Sequence, residues 1–248
     1  MTYGISHQLF EPRILAVVSF LLALPPAIFI KYSGNELLYY LWKQLAKRQG
    51  FRRETYYESR FILNDLSNPT QLFQQIATRF KLHQHDISTY HDIYFTHHIP
   101  IFSERTNTVK SREIIDHATG TSFHNLEIVH FLPTKKTEKN SIFNYYYSKK
   151  EKGRKDISTT DREVVLKTFP FRPGIAVPSK QISFERKACF DKEIRITLDT
   201  IISSDTPKLT HVMEVKVYQD ISALTEVMKY IIGKGHIHLT TYGKYDLM

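Results

Sequence analysis

The sequence predicts an α+β protein built on antiparallel strands, and three observations carry that prediction. Segments with strict apolar/charged alternation recur through the chain. Two segments, Asn68–Phe80 and Ser222–Ile232, have apolar residues at helical spacing instead. Tyr and Phe number 15 and 16 among 248 residues, and aromatic side chains favour strands.

The stretch from Ile182 to Lys216 shows the alternation most clearly. In ISFERKACFDKEIRITLDTII, Ile194, Ile196 and Leu198 fall on one face, and Arg195, Thr197 and Asp199 on the other. In THVMEVKVY, Met213, Val215 and Val217 oppose Glu214 and Lys216. Successive side chains of a strand point to opposite sides of the sheet, so each segment has an apolar and a charged face. Earlier strands are expected in TYYESRFIL, in YHDIYF, over 109–115, and in NLEIVHF. The polar, Lys-rich stretch 133–161, which surrounds an aromatic patch at Ile142–Tyr147, is expected to be a long mobile insertion with an embedded strand at most. EVVLKTF and a Pro-rich turn follow it, and HLTTYGKYDLM closes the chain.

The N-terminal part differs. Ile14–Ile30 (ILAVVSFLLALPPAIFI) is apolar except for Ser19 and is bracketed by Arg13 and Lys31. Its 17 residues are at the short end of a membrane span, with Pro25 and Pro26 as a kink. A cleaved signal peptide or a buried core helix would also use such a run, but a single-pass anchor is the leading expectation. The excess of Lys and Arg after the run (Lys43, Lys47, Arg48, Arg52, Arg53) then places the remainder on the cytoplasmic or matrix side. Asn35–Gln49 carries Leu37, Leu38, Leu41 and Leu45 on one helical stripe, fitting a basic juxtamembrane helix or a helix packed on its own domain. The expected organisation is therefore 1–31 with the anchor, 32–53 as the basic linker, and 54–248 as one folded domain.

Composition sets the class of partner. A net charge of +9 favours polyanions: nucleic acid, acidic lipid or phosphate chains. No stacking signature or recognised module supports nucleic acid. Cys189 is the only cysteine, which excludes an internal disulfide and a cysteine-based zinc site. His83, His85, His91, His97 and His98 lack a metal-ligand spacing.

Charge recurs on defined strand faces: Glu58 with Arg60, Lys110 with Arg112, Arg186, Arg195 with Asp199, and Glu214 with Lys216. Such strands form either a one-sided sheet whose polar face meets water, or a barrel with that face inward. Buried unpaired charge is prohibitive, so a barrel of this kind must be wet and hold a counter-ligand. A phosphate chain fits the cations and a divalent metal fits the carboxylates.

On these residues the chain resembles the vacuolar transporter chaperone (VTC) polyphosphate polymerase domain of the triphosphate-tunnel superfamily, whose relatives include the CYTH domains. The resemblance runs from about Glu54 to the end. It is carried by Glu58-Ser59-Arg60-Phe61, HDIYF, Lys110 with Arg112, Arg186, Arg195 with Asp199, Glu214 with Lys216, and Lys244 in the closing YGKYD. It implies an eight-stranded antiparallel tunnel in which Arg186, Arg195 and Lys216 act on the reacting phosphate. Arg60, Lys110, Arg112, Lys167 and Lys244 would bind the phosphate chain, and Glu214, Glu58 and Asp199 would hold Mg2+ or Mn2+. The implied activity is ATP-dependent polyphosphate synthesis at a membrane, alone or with other subunits. Tripolyphosphate or nucleoside triphosphate hydrolysis, or a tunnel that binds polyanions without turnover, are the alternatives. Two departures favour the last: Tyr56 stands where the CYTH opening has a glutamate, and Val129 where the central Glu-x-Lys strand has its lysine. Lys149, Lys150, Lys152 and Arg154 are the candidates to replace that lysine.

Overall fold

A computed structural model describes residues 43–44, 46–63, 66–97, 107–132, 147–168, 175–202, 209–234 and 238–240. Chain contacts divide the protein into a unit of residues 1–44 and a unit of 45–248. In the first only Lys43 and Gln44 are described, both helical. The Ile14–Ile30 run and most of Asn35–Gln49 therefore lie outside the described residues. Among the described residues no helix is long and apolar enough to cross a membrane.

The second unit opens with β1 (Arg52–Ile62), α1 (Pro69–Arg79), β2 (His83–His97), β3 (Asn107–Asp116) and β4 (Ser122–Leu132). It continues with β5 (Ser148–Asp156), α2 (Arg162–Thr168), β6 (Ile175–Phe190), β7 (Ile194–Ile202), β8 (Leu209–Val217), α3 (Ile221–Ile232) and β9 (His238–Thr240). The ladder runs β5-β4-β3-β2-β6-β7-β8-β1, and β1 pairs again with β5, closing an eight-stranded antiparallel barrel. The short β9 extends the β5 side of β1, with Arg60 opposite Thr240.

Two expectations are corrected here. The segment 182–202 is not one strand but the hairpin β6–β7. Asp191 makes the turn, its carboxylate accepting the backbone N–H groups of Glu193 and Ile194 at 2.7 and 2.6 Å. Such an Asx turn gives the backbone a local alternative to the ladder. The Lys-rich stretch does hold an embedded strand, but one that is part of the barrel wall. Its part Ser148–Asp156 is β5, the strand that closes the barrel. Lysine and glycine are poor strand formers, so local propensity hid it. Residues 133–146 lie outside the described ones.

The apolar faces read from the sequence pack outward against helices. Asn68 caps α1 through Gln71 N–H at 3.0 Å, with Pro69 in its first turn. Asp220 caps α3 through Ser222 N–H at 2.9 Å. Leu72, Phe73 and Ile76 of α1 and Leu224, Val227, Met228 and Ile231 of α3 are buried. They meet Ile194, Ile196 and Leu198 of β7, Met213, Val215 and Val217 of β8, and Phe61 of β1 in one cluster. The main core thus sits outside the barrel, and the opposite faces of the same strands are free to carry charge inward.

Candidate functional site

Alternation along the closed barrel sends one set of side chains into its interior: Glu58 and Arg60 from β1, Asp92 from β2, Lys110 and Arg112 from β3, and Glu127 from β4. Lys150 and Lys152 from β5, Arg186 from β6, Asp199 from β7, and Glu214 and Lys216 from β8 complete the set. Side chains of both signs line the interior, and each carboxylate is at most 3% exposed. Burial of this much charge is tolerable because the groups neutralise one another.

Asp92 accepts both Arg112 Nε and Nη2, at 2.5 and 2.6 Å, and Lys110 Nζ at 2.8 Å. Burial pushes its carboxyl up, but Arg112 and Lys110 override this and hold it well below the usual range. Asp199 receives Arg186 through Nε and Nη2 at 2.6 and 2.7 Å, the planar fork that guanidinium presents to carboxylate. Glu214 lies between Arg60 Nε, at 2.9 Å, and Arg186 Nη2, at 3.2 Å. Glu58 takes Lys150 Nζ at 2.5 Å, Arg60 at 2.8 Å and Lys216 at 3.6 Å. Despite burial, Arg60 and Lys150 hold its carboxyl at about 2. Glu127 faces Arg112 at 3.3 Å, Lys110 at 3.4 Å and Lys152 at 3.6 Å. Lys216 contacts its carboxylates only at 3.6 and 3.8 Å, and burial pushes its ammonium down to about 7 against the pull of Glu214 and Glu58.

The structure brings together Arg60, Lys110, Arg112, Arg186, Lys216, Glu58, Asp199 and Glu214 from the expected set. Arg195 is on the same face but sits toward one end, half-buried and stacked on Phe190 with its guanidinium 5.8 Å from the ring centre. Lys167 is exposed on α2 and is not among the buried charged side chains. Lys244 lies outside the described residues. Sequence reasoning did not assign Asp92 or Glu127 a place in the site, although Asp92 alternates with the buried Tyr90 and Tyr94 in a visible period-two pattern. The lysine absent at Val129 has a spatial replacement. Lys152 is Val129's direct partner in the β4–β5 ladder, and its Nζ reaches Glu127 and also Glu54, the latter at 2.7 Å. Lys150 adds a second ammonium from the same strand.

The described residues form no dedicated all-protein cage for the Mg2+ or Mn2+ that the resemblance implies. Among the described residues no three carboxylate, histidine or cysteine side chains gather as a ligand set. Glu58 and Glu214 share Arg60 between them, and Asp199 is engaged by Arg186 through both oxygens. Mg2+ is held by one or two carboxylates together with water and substrate phosphates, and here each candidate carboxylate already faces a guanidinium. The third position, Tyr56, is buried, and burial together with Glu58 keeps its phenol protonated well above its usual range.

What the arrangement offers is a surplus of donors. Three arginines and four lysines carry about 27 N–H donors, against about 20 lone-pair sites on five carboxylates. This excess of donors over acceptors favours a compact polyanion.

No protein-family model matches the sequence, and no curated protein matches it. Among solved structures the chain is similar to a protein of Pyrococcus horikoshii, at 15% identity and TM-score 0.52, covering 77% of this chain and 97% of that one. It is similar to a candidate adenylate cyclase of Bacillus halodurans at 11% identity and TM-score 0.50, covering 79% and 98%. A weaker likeness, at 11% identity and TM-score 0.47 over 77% and 94%, is to a Hippeastrum protein described as having a dominant triphosphatase activity. The first two likenesses show the fold alone, an eight-stranded antiparallel barrel, and do not reach the VTC polymerase in particular.

Proposed function

We propose that the barrel interior binds the triphosphate end of a phosphate chain or nucleotide, and that it does so without turnover. The observation that carries this reading is the convergence of seven cations, Arg60, Lys110, Arg112, Lys150, Lys152, Arg186 and Lys216, on one enclosed space. Phosphate oxygens would take N–H donors that the carboxylates leave unused, and charge-assisted bonds of this type contribute about 1.5–3 kcal/mol each. Both ATP-dependent polymer synthesis and triphosphate hydrolysis ask for a metal to neutralise the transferring phosphoryl group. The carboxylates here are engaged with guanidinium instead, which favours binding over either reaction. The full chain is expected to bind tripolyphosphate by calorimetry with or without Mg2+ or Mn2+. It is expected to release no orthophosphate and to lengthen no chain. Orthophosphate release would replace this reading with the hydrolase, and polymer made from ATP would restore the polymerase.

We further propose that Ile14–Ile30 anchors the chain to a membrane, supported by its hydropathy and the basic residues that follow it. The full chain should float with lipid vesicles, and the chain lacking residues 14–30 should remain in the soluble fraction. Equal partitioning of the two would remove the anchor.

A further inference from the structure

β5 is attached to the barrel by charge, whereas β7, β8 and β1 are attached by hydrocarbon. Those three strands share one buried apolar cluster with α1 and α3. β6 adds Ile182 and Phe184, which pack with Tyr90 and Tyr94 of β2 in a second cluster. β5, with the sequence SKKEKGRKD, has no apolar side chain to give to either. Its five cations and two carboxylates reach the neighbouring strands through ion pairs instead. Toward the interior, Lys150 Nζ meets Glu58 at 2.5 Å and Lys152 Nζ meets Glu54 at 2.7 Å. On the outer face the Arg53 guanidinium pairs with Glu151, and Lys149 Nζ donates to the Tyr57 hydroxyl at 3.0 Å. At the end of the strand the exposed Arg52 meets Asp156 at 2.7 Å.

Fixed points lie just outside the strand. Before it, Tyr147 meets Tyr57 edge to face at 5.9 Å and packs on the first apolar cluster. After it, the Ile157 N–H donates to the His124 carbonyl at 3.0 Å. Between them β5 is held by its ladders to β1 and β4 and by charge. Lifting β5 away would hydrate both partners of each ion pair together, so no charge is left stranded in a dry interior. Lifting β7 or β8 would expose hydrocarbon to water. Local opening selects the element with the fewest buried apolar contacts, which here is β5. The interior gives such an opening a use. Arg112, Lys150 and Arg186 are each no more than 5% exposed, so a phosphate chain needs a way in to reach them.

We propose that β5 is a detachable stave. It swings out between Tyr147 and Ile157 to admit a polyanion, and the bound polyanion, pairing with Lys150 and Lys152, draws it shut. The opening follows from the barrel wall; the part played by the ligand rests on the reading that the interior takes a triphosphate, and the two are tested separately.

Hydrogen exchange of the full chain at fixed pH, followed by mass spectrometry, tests the opening. Raising NaCl from about 0.02 M to about 0.5 M shortens the Debye length about fivefold. The amides of β5 are then expected to exchange about tenfold faster, while those of β7 and β8 change less than about twofold. Exchange in β5 as slow as in β7 and β8, or indifferent to salt, would overturn the stave. The double substitution Thr55→Cys/Glu151→Cys tests entry. These residues are direct partners in the β1–β5 ladder, on the face away from the interior. Such partners have Cα atoms about 4.5–5.5 Å apart, within reach of a disulfide. Arg53, which loses Glu151, has a side chain 31% exposed and so keeps water. Radiolabelled tripolyphosphate, followed by rapid filtration, should bind and leave the oxidised form about tenfold more slowly than the reduced form, at unchanged equilibrium affinity. Equal rates in the two forms would overturn entry through β5 and leave the triphosphate site standing. If tripolyphosphate binds neither form nor the natural chain, the triphosphate reading fails and the ligand's part with it, and the exchange data alone decide the opening.

Discussion

Arg186→Ala is expected to destabilise the protein by about 3–5 kcal/mol, the range for removing one partner of a buried ion pair. Asp199 is fully buried, and both its oxygens receive Arg186, so truncation leaves a carboxylate with neither water nor its guanidinium. Glu214 loses the same arginine and keeps Arg60. The loss in packing adds to this, because the Arg186 guanidinium also lies 4.8 Å from the Tyr90 ring centre. Urea unfolding of Arg186→Ala and of the double substitution Arg186→Leu/Asp199→Leu checks the cause. If the uncompensated charge dominates, the double variant recovers most of the loss, since an apolar replacement of a buried pair is often neutral. A cost below about 1 kcal/mol for Arg186→Ala would mean that water reaches Asp199 and that the interior is open after all.

The second large effect is on pH. Lys216 is surrounded by Glu58, Glu214, Lys152, Arg186 and the ring of Tyr56, and burial lowers its ammonium to about 7 in the folded protein. An unfolded lysine titrates near 10.4. Between about pH 7 and 10 the unfolded chain therefore holds a proton that the folded chain has released, so Lys216 makes stability rise with pH across that window. A phosphate ligand reverses the preference by favouring the ammonium. At pH 8, tripolyphosphate binding is expected to take up close to one proton per site, seen as a dependence of calorimetric heat on buffer ionisation enthalpy. Affinity should fall as pH rises above 7, by at most about tenfold per unit. Lys216→Met should abolish the uptake. Proton uptake that persists in Lys216→Met would assign it to another group and remove Lys216 from the ligand's surroundings. On the acid side, Glu58 acts in the opposite sense. Its folded carboxyl sits at about 2, below its unfolded value, so the stability it contributes is present above about pH 4.5 and lost as pH falls toward 2.

Much of this was legible in the amino acids. Period-two alternation in Ile194–Asp199 and Met213–Val217 separates apolar from charged faces, and the structure places those faces outward against α1 and α3 and inward against one another. Helix caps at Asn68 and Asp220 mark where α1 and α3 begin. These features are local: they follow from which side chains alternate and which can bond a nearby N–H. An embedded strand was allowed in 133–161, but the bounds of β5 and its place in the barrel were not legible, because SKKEKGRKD has no β-branched or aromatic residue. It is a strand because β1 and β4 offer it unpaired edges on both sides.

What the sequence by itself determined is which side chains share a face, since that depends only on the two-residue period of a strand. The tertiary structure decided which faces meet, and with it the chemistry. Register between segments far apart in the chain sets Lys152 beside Val129, engages Asp92 with Arg112 and Lys110, and gives Arg186 to Asp199. It also left Arg195 with aromatic neighbours at the barrel's end. Charge–charge energies depend on separations of a few ångströms and on exclusion of water. Neither is written in local spacing, so the mutual neutralisation of the interior became apparent only when the ladder closed.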